Sequence, residues 1–435
     1  MDDVTGLAEA LVGLDGFRVL DVRESPDEVC ITVETTADVV GCERCGVRAL
    51  AKERKRVDIR DLPCFGRPAR LVWLKRRWCC ADPDCEQKTW TEGSPHVPPR
   101  SVLTVRAGAE ATRQVGALAL PVAVVARELG VCWWTVMDAV ELHGTPLVDD
   151  PARVGQVRAL GIDETSFLSA TREHATLYAT GMVDLDDPKV IDMIEGNSAT
   201  DLRRWCAEQD PRWLETIEVV ATDLAESYRR GIAGHLDHTL RVADPFHVVR
   251  AANRVVDKVR RRVQNETLGH RGRKADPLYR IRKLLLAGSE RLDERGHERM
   301  LLGLRRGDPH DELLGAWLAK ESVRDVYLTE KVGEARTLLN KAIVGSKSDE
   351  VAEIRSLGDT LERWQSEILN HHRTGASNGP TEGMNLCVKR IKRAGHGFTS
   401  FKHYRLRVLL HAGGVSWPRR PSPPRIRTRA PYFNA

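Results

Sequence analysis

Three acidic residues carry the sharpest chemical signal in this chain of 435 residues: Asp163, Asp223 and Glu382. Asp163 follows the apolar run Val157-Arg158-Ala159-Leu160-Gly161-Ile162, and Asp223 follows Thr216-Ile217-Glu218-Val219-Val220-Ala221-Thr222. Each run reads as a strand ending in a carboxylate, and polar groups at strand ends of an α/β sheet converge at one edge, where ligands bind. Glu382 sits in Ser377-Asn378-Gly379-Pro380-Thr381-Glu382-Gly383-Met384-Asn385, at an expected helix start, and it is the last acidic residue of the chain. Three convergent carboxylates repel one another and raise each other's pKa values; divalent cations remove that penalty. Two hard cations about 3.5–4 Å apart, held by oxygens, are the usual apparatus for in-line phosphodiester displacement, and Mg2+ (or Mn2+) suits it. Lys389, Arg390, Lys392 and Arg393 follow Glu382 on the same expected helix and suit phosphate contacts. The blander reading is chance, since 62 acidic residues supply many coincidental triads.

A second constellation lies near the N-terminus. Cys42-Glu43-Arg44-Cys45-Gly46 is followed by a strand-like run, Arg70 to Trp78, and then by Cys79-Cys80-Ala81-Asp82-Pro83-Asp84-Cys85. Two short cysteine pairs, one on a Gly-containing knuckle and one after a strand, describe a zinc ribbon with Cys42, Cys45, Cys80 and Cys85 as structural Zn2+ ligands. Cys79 stands as an alternative to Cys80, and Cys64 and His96 are further candidates. The competing reading is a set of reduced thiols without metal.

Between these regions, residues 102–143 are helical by pattern. Ala126, Gly130 and Val136 fall where a helix-turn-helix needs a small residue, a turn glycine and an apolar core residue. Trp133, Trp134 and Thr135 would then lie on the exposed face of the helix that enters the major groove, although ordinary helical hairpins share the pattern.

Composition frames these sites. The 67 basic residues nearly balance 62 acidic ones, for a net charge of +5. The basic surplus is concentrated in Arg-rich segments and the tail, which points to a polyanionic partner. The N-terminus lacks a secretory signal and no run is long and apolar enough to span a bilayer, so a cytoplasmic protein without membrane contact is expected. Ten cysteines in a large chain without such a signal argue for metal ligation over disulfides.

The elements that must position the acids are these. Glu28–Thr35 reads as a strand of a short α/β lead-in over residues 1–40, and Pro146–Pro151 as a linker. Strands are expected at 157–164, 177–184, 189–194, 216–223 and 239–244, with helices near 198–209 and 225–235; strands in hairpin order that then alternate with helices suit a mixed sheet. From Val248 to about Asn370 the pattern is helical. Val248, Ala252, Val255, Val256, Val259 and Val263 form an apolar stripe, with Arg250, Arg254, Arg260 and Arg261 around it as a solvated face or as DNA contacts.

Taken in order, the cysteine pairs, the helical pair, Gly161-Ile162-Asp163-Glu164, Thr222-Asp223 and the stretch from Ser377 to Phe398 resemble the transposases of the bacterial ISL-three insertion-sequence family. The most specific part is Ser377-Asn378-Gly379, Glu382-Gly383-Met384-Asn385, Lys389 and Arg393-Ala394-Gly395-His396-Gly397-Phe398. The likeness runs from about Cys42 to Ala412. It implies an α/β fold with a ribonuclease-H-like catalytic core and a DDE triad of Asp163, Asp223 and Glu382, interrupted by an all-α insertion before the glutamate. It further implies that the ribbon and helix-turn-helix read the element's ends.

The resulting organisation is an N-terminal region over 1–100 with the ribbon at about 40–92, a helix-turn-helix over 101–150 and the first part of the core over 151–250. The helical insertion follows over 251–370, the end of the core over 371–415, and a basic Pro/Arg-rich tail, expected to be disordered, over 416–435. Asp244-Pro245-Phe246-His247-Val248 also resembles a family segment, and His247 is expected to buttress the core rather than sit beside the scissile phosphate. Cys79 stands where the family more often has another residue, which leaves the second cysteine pair ambiguous.

The implied activity is metal-dependent cleavage at the ends of an insertion element and transfer of the freed 3′-hydroxyl to target DNA. Its partners would be double-stranded DNA, as terminal inverted repeats and target, and a second copy of the chain or more in a synaptic complex within a bacterial, nucleoid-associated setting. Two other classes fit some of the same residues: a zinc- and helix-turn-helix-based DNA-binding regulator with an inactive catalytic domain, and a metal-dependent DNA nuclease that does not join.

Overall fold

The computed structural model describes residues 2–172 and 175–418, so most of the expected tail lies outside the described residues. They divide into two compact units, one built from the described part of 1–153 with 394–396 and 414–418, the other from Val154–Arg393 and Gly397–Gly413. Among the described residues no helix is long and apolar enough to cross a membrane.

In the first unit, α1 (Asp2–Val12) precedes an antiparallel pair, β1 (Phe17–Glu24) and β2 (Val29–Thr35). A long antiparallel hairpin, β3 (Ala49–Cys64) and β4 (Arg67–Cys80), completes the sheet order β1-β2-β4-β3, and β5 (Thr89–Thr91) pairs with β4. Phe17, Val19, Val33, Ile59, Leu71 and Trp73 form its core, with the Phe17 ring edge-on to Trp73 at 5.3 Å. Strand β3 is not legible in the sequence. Residues 51–56 are all exposed and include Lys52-Glu53-Arg54-Lys55-Arg56, without apolar alternation. Ladder bonds to β4, whose Trp73 and Trp78 are buried, hold this strand instead of an apolar face of its own.

Helix α2 (Val105–Gly116) starts at Thr104, whose Oγ1 accepts from the Ala107 amide at 3.2 Å and donates to buried Asp61 at 2.6 Å. Helix α3 (Val122–Leu129) is closed by Gly130 in the left-handed region at φ +64°, where a side chain is strained. Helix α4 (Trp133–Val148) follows, with Val136, Met137 and Val140 buried. The expected linker at Pro146–Pro151 is therefore corrected: Pro146 lies inside α4. Only Leu147 and Val148 follow it there, so the missing proline amide interrupts the helix where it is ending anyway.

The second unit is built on a five-stranded mixed sheet of order β10-β9-β6-β7-β8. Strands β6 (Ala159–Leu168), β7 (Leu177–Asp184) and β8 (Lys189–Glu195) make an antiparallel meander. Helices α5 (Ala199–Glu208) and α6 (Pro211–Leu214) then carry the chain across to β9 (Val219–Thr222), parallel to β6. After α7 (Glu226–Ile232), β10 (Leu240–Ala243) pairs parallel with β9. Ser198 and Asp201 form a reciprocal capping box that fixes the start of α5.

A run of helices follows: α8 (Pro245–Leu268), α9 (Pro277–Leu286), α10 (Glu294–Gly307), α11 (Glu312–Asp325), α12 (Val332–Lys347), α13 (Ala352–Arg363) and α14 (Gln365–Thr374). The valine and alanine stripe of α8 is buried in their shared core. Arg260 belongs to neither a solvated face nor a DNA surface: it is buried, bonding Asp257 at 3.0 Å and Gln264 at 2.6 Å. Helix α14 returns the chain to the sheet, where Asn370 Nδ2 donates to the Arg241 carbonyl of β10 at 2.8 Å. Helices α15 (Gly379–Ala394) and α16 (Phe401–Ala412) complete the unit. Arg405 of α16 and Trp205 of α5 both bond Asp192 on β8, at 2.7 and 3.0 Å.

Candidate active site

Register places the first two acids. The parallel pairing of β6 with β9 ends at Gly161 opposite Ala221. Asp163 and Asp223 each lie two residues further on, at matching positions on strands that neighbour each other at about 4.8 Å. Asp223 does end its strand, but Asp163 does not: β6 continues to Leu168, paired beyond Gly161 with β7 alone. The expectation that Asp163 closes a strand is thus corrected. Its neighbour β9 stops short, which leaves Asp163 beside an edge although it is mid-strand.

Helix α15 supplies the third acid. Its entry is pinned by Asn378, whose amide donates to Asp244 Oδ1 at 2.9 Å and whose Nδ2 donates to the Ile162 carbonyl at 3.2 Å. Gly161 makes this approach possible. A Cβ there would overlap Thr381 Oγ1 and come within 2.7 Å of Asn378 Oδ1. One turn into the helix, Glu382 and Asn385 both face the two aspartates across a cleft of about 220 Å³. Asn385 Nδ2 donates to Asp163 Oδ2 at 2.8 Å, and the Glu164 amide donates to Asp163 Oδ1 at the same distance. Glu164, Asp244, Phe246, His247, Arg250 and Lys389 complete the lining.

Burial is the main influence on both aspartates and raises their pKa values. The Glu164 amide and then His247 oppose it at Asp163; His247 opposes it at Asp223, while the charge of Asp163 adds to it. Asp223 Oδ1 is buried without a hydrogen-bond partner, and Oδ2 lies 3.8 Å from His247 Nδ1. His247 lines the cleft.

The expected phosphate-binding cations separate. Lys389 faces the cleft, whereas Arg390 and Arg393 are exposed elsewhere on α15. Lys392 is committed within the protein: its Nζ donates to the Ser166 carbonyl of β6 at 2.7 Å. Sequence reasoning passed over Asn378, Asn385, Asp244 and Glu164 as site residues. The first two stand inside the stretch that drew attention to Glu382, and their amides gave the available signal.

In the first unit, Cys42, Cys45, Cys80 and Cys85 bring their sulfurs within 4.8 Å of one another. Cys42 and Cys85 are 3.8 Å apart, and Cys45 and Cys80 3.4 Å. Among the described residues this is the one group of three or more Cys, His, Asp or Glu gathered so closely. The amide of Cys45 leads the influences that hold the Cys42 thiol down at about 7, while burial pushes Cys80 up to about 12. Cys79 stands apart, its Sγ directed to the Leu50 carbonyl at 3.5 Å, as does Cys64, directed to the Leu62 carbonyl. His96 packs against Phe17 at 6.3 Å. On α4, Trp134 is well exposed and lies edge-on to Trp133 at 4.8 Å, and Thr135 Oγ1 meets Cys132 Sγ at 3.1 Å.

Comparison with known proteins assigns the class. A family model described as a transposase, of the DDE ISL-three type, matches residues 160–408. The transposase for insertion sequence element IS1001 of Bordetella parapertussis is 27% identical over 416 residues, covering 92% of this chain and 97% of that protein. The transposase for insertion sequence element IS1557 of Mycobacterium tuberculosis is 27% identical over 271 residues, covering 57% of this chain and 58% of its own length. The chain belongs to the ISL-three family of insertion-sequence transposases.

Proposed function

We propose that Asp163, Asp223 and Glu382 form the catalytic triad of a DNA transposase that cuts the ends of its element and joins them to target DNA. The observation that carries this reading is the matched register of Asp163 and Asp223 on adjacent strands, facing the first turn of α15 across one cleft. The mixed sheet, with its meander followed by two parallel strands, supports a ribonuclease-H-like core. In this reading α8 to α14 are the insertion that separates Asp223 from Glu382 in sequence.

The cleft fits divalent cations. Two desolvated aspartates share it, one with an orphaned buried oxygen, and such carboxylates are relieved by a cation. Glu382 is exposed on the facing helix and would complete the ligand set. When bound, Mg2+ or Mn2+ would supply charge neutralisation and alignment for in-line phosphodiester displacement. The chain's own contributions are positional. Asn385 and the Glu164 amide fix the Asp163 carboxylate, while Lys389 and Arg250 offer cations to a phosphate. His247 contributes a ring nitrogen beside Asp223.

The four-cysteine cluster fits structural zinc. Tetrahedral Zn–S bonds of about 2.3 Å demand sulfur–sulfur edges of about 3.8 Å, close to the 3.8 and 3.4 Å separations here. We read α3, Gly130 and α4 as a helix-turn-helix that presents Trp133, Trp134 and Thr135 to the DNA of the element's ends. Synapsis of two ends would require two or more copies of the chain.

The test is cleavage and strand transfer on DNA carrying the sequences that flank the gene, with magnesium and with chelator, for wild type, Asp163→Ala and Glu382→Gln. Nicking at the ends that is lost in both variants, with end binding retained, is the expected result. Binding without cleavage under every metal condition would instead indicate a regulator, and cleavage without joined product a nuclease.

A further inference from the structure

Helices α9 and α10 pack unusually close. A Cβ on Gly303 would come 2.6 Å from Ile281 Cγ2, and one on Gly307 within 2.8 Å of Leu278 Cδ2. Above this contact opens a cleft of about 730 Å³. Its lining includes Lys274, Arg280, Arg282, Arg299 and Arg306 and no acidic residue. Arg299, Gly303 and Arg306 follow one another at helical spacing, so a single stripe of α10 presents its two cations to α9. Arg282 lies 4.0 Å from the centre of the Tyr279 ring and its Nη1 donates to the Tyr279 carbonyl at 2.8 Å, two contacts that hold the guanidinium at the wall.

The contrast with neighbouring arginines matters. Arg262 is clamped between Glu312 and Glu353, and Arg324 bonds Glu321 and Glu290. Among the described residues none of the five cleft cations forms an ion pair. Like charges gathered without counter-charge repel and create a positive potential that attracts a polyanion from outside the fold. Five cations exceed what one phosphate group needs. Small-molecule pockets, by comparison, are predominantly apolar with few polar groups. A duplex offers one negative charge per about 1.7 Å of its axis and matches an extended cationic groove.

We propose that the α9–α10 groove binds the sugar-phosphate backbone of double-stranded DNA, as a contact independent of the acidic cleft and of the expected helix-turn-helix. The proposal rests on the reading of the chain as a DNA-cutting transposase, and it adds a role for the helical insertion. The contact is made to phosphates, so it positions DNA without reading sequence.

The experiment measures binding of the full chain to labelled 30-base-pair duplexes, one with the element's end and one of unrelated sequence, by fluorescence anisotropy across a sodium chloride series. The Arg280→Ala/Arg299→Ala/Arg306→Ala variant should weaken binding to both duplexes alike. Its plot of log affinity against log salt should be shallower by about 2–3, since each phosphate contact contributes about 0.9. The corresponding triple lysine variant should keep the slope, and circular dichroism with Tm checks that both fold. Unchanged slope and affinity in a folded alanine variant overturn the proposal, as does loss of RNA or acidic-peptide binding with DNA binding intact. Wild-type cleavage in magnesium is scored separately. Cutting with an unchanged slope removes the groove and keeps the triad; a changed slope without cutting removes the triad and keeps the groove.

Discussion

Asn385 donates its Nδ2 hydrogen to Asp163 Oδ2 over 2.8 Å, although 222 residues separate the two in sequence. The bond ties α15, which carries Glu382, to the strand that carries Asp163, so one helix both supplies an acid and orients another. A carboxylate held by a donor on one oxygen and an amide on the other has little freedom to turn away from a cation.

Replacing that donor should therefore act through Asp163. For Asn385→Ala we expect activity or metal affinity to fall about 10–100-fold, the range for lost outer-shell partners. Magnesium titration of end cleavage checks it, and the half-saturating concentration should rise. Normal magnesium dependence and normal rate in this variant would show that Asp163 needs no such support.

Gly161→Ala tests the approach of α15 to the sheet. The new methyl group would overlap Thr381 Oγ1 and crowd Leu185 and Asn378, which are packed against the strand. Overpacking of this kind costs about 1–3 kcal/mol, and thermal unfolding should show it as a lower Tm. Gly181→Ala on the adjacent strand is the control, since its nearest neighbour would be the Asp163 carbonyl at 3.9 Å. Equal Tm values for the two variants would contradict the packing argument.

The two aspartates were legible because apolar β-branched runs precede them, and Val219 to Ala221 are buried as that pattern demands. Gly161 was legible as part of a motif, but its reason was not: Thr381 and Asn378 press on it from 217 to 220 residues away, and no local pattern encodes that meeting. Strand β3 escaped because Lys52 to Arg56 show no apolar alternation, its pairing being settled by β4. Arg260 misled for a related reason. A cation on a helix looks solvated in sequence, yet this one is buried against Gln264.

Asp223 supplies a test by pH. Burial raises its pKa in the fold, so between the unfolded value of about 3.9 and the raised folded value the native state binds more protons than the unfolded one. Stability then falls as pH rises through that window, and the deficit is complete above it. In chelator at pH 8, Asp223→Asn should raise Tm by about 2 °C or more, and the advantage should shrink toward pH 4. Magnesium should raise the Tm of the wild type more than that of the variant. A variant less stable than wild type at pH 8 in chelator would mean that the carboxylate is satisfied without a cation.

The cysteine cluster separates two adjacent thiols. Cys80 lies 3.4 Å from Cys45 within the group of four, whereas Cys79 points to the Leu50 carbonyl on the neighbouring strand. If the group holds zinc, the purified chain should carry one zinc per copy by elemental mass spectrometry. Cys80→Ser should lose it and Cys79→Ser should keep it. The metal closes the loop after Cys42 onto the end of β4, so its loss should unfold that end of the sheet. Tm should drop in Cys80→Ser and in wild type treated with a strong chelator, but not in Cys79→Ser. Zinc retained by Cys80→Ser and lost from Cys79→Ser would reverse the assignment, and a wild type free of zinc would leave the four residues as reduced thiols packed together.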